Sequence, residues 1–184
     1  MRVVNLFAGP CAGKSVMASE IFTIMKKLGT NVELAPEYAK EMVYEERSKI
    51  LGDQLYVLAK QNRKLERVRD KVDYVISDSP LLLCPIYAPQ GYYPAFNSIV
   101  MDLWNSYENI NLFIKRPLMW SFHKEGRIQG TREEAEDLDV RIESFLVRNN
   151  IPYVSVPGHR DVDFDFIRNY ILNYDNYVDM TKAA

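Results

Sequence analysis

The sequence predicts an α/β fold in three layers: a parallel sheet of about five strands, helices on both faces and a lid segment near residues 116–131. Three observations carry that expectation. Apolar strand-like runs alternate with helical segments over the 184-residue chain, the pattern of a sheet covered on both sides. The run Val3-Val4-Asn5-Leu6-Phe7 feeds straight into AGPCAGKS at 8–15, with Val16-Met17-Ala18 opening a helix behind it. Polar and charged residues stand just past each candidate strand, where such sheets gather their chemistry.

The elements follow in order. After the strand at 3–7, a helix spans 14–27 and ends at Leu28-Gly29. A second strand, 32–35, stops at Pro36, and 38–51 reads as a helix. A longer helix over about 53–69 places Leu55, Leu58, Leu65 and Val68 at helical spacing. The third strand, 73–78, closes at Ser79-Pro80. Residues 95–107 read as a helix and 110–114 as the fourth strand. The stretch 115–130 lacks periodicity and carries Pro117, Gly126 and Gly130. Thr131 with Glu134 three residues later is a capping-box pattern, opening a helix that runs to about Asn149. Residues 153–156 form the fifth strand and 163–174 the last helix. Nothing reads as a repeat or linker, so one domain over 1–184 is expected.

Composition narrows the class. Hydrophobic content of 47% and charged content of 26% are ordinary globular values. A net charge of −2 and a pI near 5.8 supply no overall basic field for nucleic acid, although a local basic face would suffice. Two cysteines, Cys11 and Cys84, make no disulfide framework and suit a reducing compartment. No signal peptide and no bilayer-spanning run is read, so a cytoplasmic protein without membrane contact is expected.

AGPCAGKS fits G-x-x-x-x-G-K-[ST] except at Ala8, which stands where the pattern has its first glycine; alanine fits there if φ stays negative. The candidate nucleotide-binding set is Gly9, Pro10, Cys11, Ala12, Gly13, Lys14, Ser15 and Val16. Consecutive backbone N–H groups there wrap the β- and γ-phosphates at a helix N-terminus. Lys14 reaches the same phosphates and the Ser15 hydroxyl holds Mg²⁺. Strand, loop and helix together predict a P-loop NTPase fold. No guanine-reading N-K-x-D follows a strand, so ATP is the expected nucleotide.

Two carboxylates and a basic pair converge on this loop. Asp78, ending the third strand, is the candidate metal ligand and catalytic acid, with an Asx turn into Ser79-Pro80 as the structural alternative. Glu37, after strand two, is the candidate base for an acceptor hydroxyl or a second metal partner; a dipole-friendly acid at a helix start is the plain alternative. Arg116 and Arg127 are the lid cations expected over the γ-phosphate, among Lys124 and Arg132. His123 reads as a surface residue, whereas His159 follows the last strand where adenine is contacted. Glu37, Tyr38, Gln61, Tyr92 and Tyr93 are the candidate acceptor-binding residues, Gln61 through a bidentate amide contact and the tyrosines through stacking. The basic set around Gln61 is the usual solvated face or a track for an anionic polymer, and the tyrosine-rich 87–96 stretch reads equally as core packing.

On NLFAGPCAGKS, ELAPEYAKE, DQLYVLAKQNRKLERV, DYVISDSPLLL and the GRIQG lid region, the chain resembles a group of small P-loop nucleoside and nucleotide kinases. That group includes ribosylnicotinamide kinases and related bacteriophage AAA-type ATPase/kinase proteins. The segments cover most of the chain, and only the first is specific by itself. The resemblance implies ATP-dependent phosphorylation of a hydroxyl on a nucleoside-like acceptor, with Glu37 and Asp78 matching the acids after strands two and three. No second-half arginine finger or ring motif accompanies them, which speaks against an AAA+ motor. The phage members imply a DNA-modification variant, in which the acceptor is the 5-hydroxymethyl group of a modified pyrimidine, free or within DNA, in the host cytoplasm. The oligomeric state stays open, a homodimer included. The rival reading is a P-loop NTPase switch that hydrolyses ATP to control partner binding.

Overall fold

Residues 1–117, 119–122, 131–158 and 162–177 are described in a computed structural model of the chain. Five strands, β1 (Arg2–Phe7), β2 (Val32–Ala35), β3 (Tyr74–Ser77), β4 (Glu108–Lys115) and β5 (Val154–Pro157), form one sheet in the order β2-β3-β1-β4-β5. Every pairing is parallel, with Val4 opposite both Ile76 and Ile110. All five strands therefore end on one edge, and the segments after β1, β2, β3 and β4 meet there.

Alternation along the strands builds two cores. Val4, Leu6, Ile76, Leu112 and Ile114 face α1 (Lys14–Lys27) and α7 (Phe164–Leu172). Val3, Phe7, Val75 and Phe113 face the opposite layer, which holds α2 (Tyr38–Tyr44), α3 (Gln54–Glu66), α4 (Cys84–Tyr87), α5 (Phe96–Asn105) and α6 (Arg132–Arg148). Asn5 is a buried amide on this second face. Its Nδ2 donates to the Val3 carbonyl at 3.1 Å and to Asn109 Oδ1 at 3.0 Å, which satisfies it in the core.

The expected α/β fold in three layers is the observed one, with two differences on the site side. The helix read over 38–51 is broken. Glu46 turns left-handed at φ 57, Arg47 N–H bonds the Met42 carbonyl and Glu46 N–H that of Val43, a Schellman stop built without glycine. A 3-10 turn at Ser48–Gly52 then leads into α3, whose cap is Asp53 accepting the Tyr56 N–H. The second difference is a 3-10 turn at Leu81–Leu83 and the short α4, which follow β3 and wall the site. The Thr131–Glu134 capping box is present in both directions.

Candidate active site

The loop from β1 to α1 closes around its own lysine. Ala8 is fully buried and is not among the left-handed residues; Gly13 at φ 90 and Cys11 at φ 62 are. Glycine is instead required at position 9. A Cβ there would stand 2.5 Å from the Ala135 carbonyl oxygen and 2.9 Å from Arg116 Nη2, too close for any side chain. Lys14 Nζ donates to the Ala8 and Gly9 carbonyls at 2.8 Å each. Burial pushes the Lys14 ammonium below the ordinary lysine range, while the carboxylates of Glu37, Asp78 and Asp139 pull it back up.

Ser15, the first-turn hydroxyl of α1, donates from Oγ to Asp78 Oδ2 at 3.0 Å. Asp78 is buried at the end of β3, and its Oδ1 has no hydrogen-bond partner among the described residues. A buried oxygen left over beside a hydroxyl is the donor set that Mg²⁺ uses when phosphate oxygens and waters complete its shell. Among the described residues no cluster of three metal-ligating side chains exists, so any cation here relies on the nucleotide for its remaining ligands.

Arg116, just past β4, stands beside the loop as expected, but it is held there. Its guanidinium pairs with Asp139 of α6, donates from Nη2 to the Ala135 carbonyl at 3.2 Å and lies 4.2 Å from the Trp120 ring. Asp139 also accepts the Gly9 N–H, tying α6 directly to the phosphate loop. Arg132 covers Trp120 at 4.9 Å. Asp139 and Trp120 were not visible as site residues: neither belongs to a motif, and only the tertiary fold brings α6 against the loop. Lys124, Arg127, His123 and His159 lie outside the described residues.

A cavity of about 280 Å³ opens from the phosphate loop. Pro10, Cys11, Gly13, Lys14, Ser15 and Val16 of the loop line it together with Glu37, the apolar Val43, Leu51, Val57 and Leu83, and the polar Gln54 and Tyr87. Burial pushes the Tyr87 phenol well above its ordinary range, so it stays a neutral donor. Burial likewise pushes the Cys84 thiol up to about 12, so this wall residue remains a neutral thiol.

Of the five expected acceptor residues Glu37 lines that cavity, and Tyr38, Gln61, Tyr92 and Tyr93 do not. Gln61 is buried; its Oε1 accepts the Tyr38 N–H at 3.1 Å and its Nε2 donates to the Pro36 carbonyl at 3.4 Å. Its amide is consumed in bracing the β2–α2 turn that carries Glu37. The Tyr38 ring packs in the core, with its hydroxyl 3.1 Å from Met42 Sδ and 3.3 Å from the Tyr56 hydroxyl. The Tyr92 hydroxyl joins Asp53 and the Leu55 N–H, and Tyr93 is 63% exposed. Gln54, two turns before Gln61 on the same buried face, is the amide that reaches the cavity. Gln61→Ala is therefore expected to lower stability by about 1–3 kcal/mol through the orphaned Tyr38 N–H. Denaturant unfolding measures that loss; an altered acceptor KM with unchanged stability would contradict it.

A family model described as an AAA domain matches residues 3–162. No curated protein matches the sequence. Among solved structures, deoxyadenosine kinase from M. mycoides with bound dATP superposes with a TM-score of 0.58 at 23% identity, covering 96% of this chain and 100% of that one. The same kinase with the products dCMP and a flexible dCDP gives 0.56 at 22% identity over the same shares. These two likenesses establish a shared P-loop kinase fold. With its phosphate loop, strand-end acids and sheet order all inside the matched span, the chain belongs to this AAA domain family.

Proposed function

We propose that the protein is an ATP- and Mg²⁺-dependent kinase that transfers the γ-phosphoryl group to a hydroxyl of a nucleoside- or nucleotide-type acceptor, working as one domain. One observation carries this: one cavity is lined by the phosphate loop, by Glu37, by apolar side chains and by an amide and a phenol. A site built only to hydrolyse ATP needs no such apolar lining beside the loop. The fold shared with a kinase whose structures hold dATP and dCMP supports the same reading.

ATP phosphates sit on residues 9–15, with Lys14 turning from its loop carbonyls to the β/γ oxygens. Mg²⁺, held by Ser15 and Asp78, neutralises phosphate charge when bound. Glu37 takes the proton from the acceptor hydroxyl as its oxygen bonds to the γ-phosphorus. The bond from that phosphorus to the β–γ bridging oxygen breaks, and ADP leaves with the electron pair. Arg116, with Arg127, balances the charge that builds on the transferring group. Val43, Leu51 and Val57 exclude water from that step.

The test is transfer from labelled ATP across nucleosides, nucleoside monophosphates, ribosylnicotinamide, plain DNA and DNA containing 5-hydroxymethylpyrimidines. Label on one acceptor class supports the kinase and names its substrate, the modified pyrimidine included. Free phosphate at the same rate with every acceptor would replace this reading by the NTPase switch.

A further inference from the structure

Lys40 is a charge the mechanism above leaves unused, and it lines the same cavity. It stands in the first turn of α2, where exposed backbone N–H groups make a cation unfavourable. Among the described residues Lys40 makes no salt bridge: Glu41, its neighbour, is taken by Lys64 at 2.6 Å. Among the described residues the other cations near the site are engaged, Lys14 on two carbonyls, Arg116 on Asp139 and Arg141 on the Ile86 carbonyl at 2.6 Å. Ala39, Lys40 and Val43 of α2 line the cavity together with Leu51, Gln54 and Val57. Lys40 stands three residues beyond Glu37, on the helix that Glu37 precedes.

The charged groups lining the cavity are Lys14, Lys40 and Glu37; Asp78 and Asp139 act on Lys14 from beside it, and Lys40 has no ion pair among the described residues. A neutral acceptor gains nothing from such a cation, whereas an anionic one is drawn in and held. We infer that the acceptor carries a phosphate of its own, recognised by Lys40, so that the substrate class is a nucleotide and not a neutral nucleoside. This rests on the kinase reading above. A lysine ammonium is a compact point charge suited to a phosphate oxygen. At about 280 Å³ the cavity suits one nucleotide unit, being close to the lower end of the roughly 300–1,000 Å³ typical of ligand sites. The phosphate is the monoester of a free nucleotide or the diester of a strand. In either case it is distinct from the hydroxyl that Glu37 deprotonates.

The experiment compares a deoxynucleoside, its 3′- and 5′-monophosphates and a short single-stranded oligonucleotide as acceptors. It uses the native protein, Lys40→Gln and Lys40→Arg, with kcat and KM measured for acceptor and for ATP. Direct binding of each acceptor is followed by calorimetry without ATP. In the native protein a phosphate-bearing acceptor is expected to have a KM at least about tenfold below the nucleoside, the usual scale of one charge-assisted contact. Lys40→Gln removes that preference with KM for ATP within about twofold, and Lys40→Arg restores part of it. Preference for a monophosphate identifies the free nucleotide, and preference for the oligonucleotide identifies the strand. Equal KM values for nucleoside and nucleotide in the native protein overturn the inference, as does a Lys40→Gln effect on ATP alone. A diphosphate product in place of a phosphorylated hydroxyl overturns it too. If no acceptor is phosphorylated, the kinase reading fails instead, and calorimetry still decides Lys40: nucleotide binding lost in Lys40→Gln upholds its role, and unchanged binding removes it.

Discussion

Lys14→Ala will lower the rate of phosphoryl transfer on the order of 10³-fold, the scale of losing one preorganised charge at a developing anion. The reason lies in where the ammonium is kept. It sits at the mouth of the loop, bonded to two carbonyls at 2.8 Å, and three carboxylates hold its charge against burial. Near-normal turnover in the variant would remove the phosphate role from this loop. The pH dependence checks the same point. Because burial depresses the Lys14 pKa, kcat/KM for ATP falls on the alkaline side below the ordinary lysine range, and the alanine variant lacks that limb. Stability moves the other way. The cost of burying the ammonium is fully present below the folded pKa and is relieved as pH rises through it towards the unfolded value, where the unfolded chain holds the extra proton. Chemical denaturation at neutral and alkaline pH should show this gain in the native protein and not in Lys14→Ala.

What the sequence shows about this protein depends on how local each signal is. The helix 14–27 and the strand 32–35 coincide with α1 and β2, because a phosphate loop, Gly29 and Pro36 mark their ends. The stop at Glu46 carried no such mark. Its left-handed turn is enforced by the 3-10 segment that follows, where Leu51 packs into the core, and a glutamate does not announce that. The run 81–83 is apolar on every side, so no periodicity distinguishes its turn from a strand end.

The same division runs through the site. Ser15, Glu37 and Asp78 were legible because strand ends beside a phosphate loop converge by topology alone. The choice between Gln54 and Gln61 was not. Both are amides on the buried face of α3, and only the packing of the β2–α2 turn decides that one braces backbone while the other meets the cavity. Asp139 was least accessible of all. It lies in mid-helix, 130 residues from the glycine whose N–H it accepts, and its role exists only once α6 has docked.

Glu37→Gln separates chemistry from binding at this site. The substitution keeps size and polarity but removes the base, so kcat is expected to fall about 10²- to 10⁴-fold, the range of general-base catalysis. KM for ATP should stay within about twofold. The fold should be untouched: Glu37 precedes α2 without capping it through its side chain, and thermal unfolding checks this. A second signature follows from the electrostatics. The Glu37 carboxylate is the largest of the influences raising the Lys14 pKa. Without it the Lys14 pKa drops further, and the alkaline limb of kcat/KM for ATP moves to lower pH. A residue that merely shaped the cavity would lower the rate and leave that limb in place. If Glu37 instead shares the metal with Ser15 and Asp78, the loss takes another form: the glutamine variant needs more Mg²⁺ for half-maximal rate and recovers at high concentration. A rate deficit that persists at saturating Mg²⁺, together with the displaced alkaline limb, assigns the proton to Glu37 and the phosphates to Lys14.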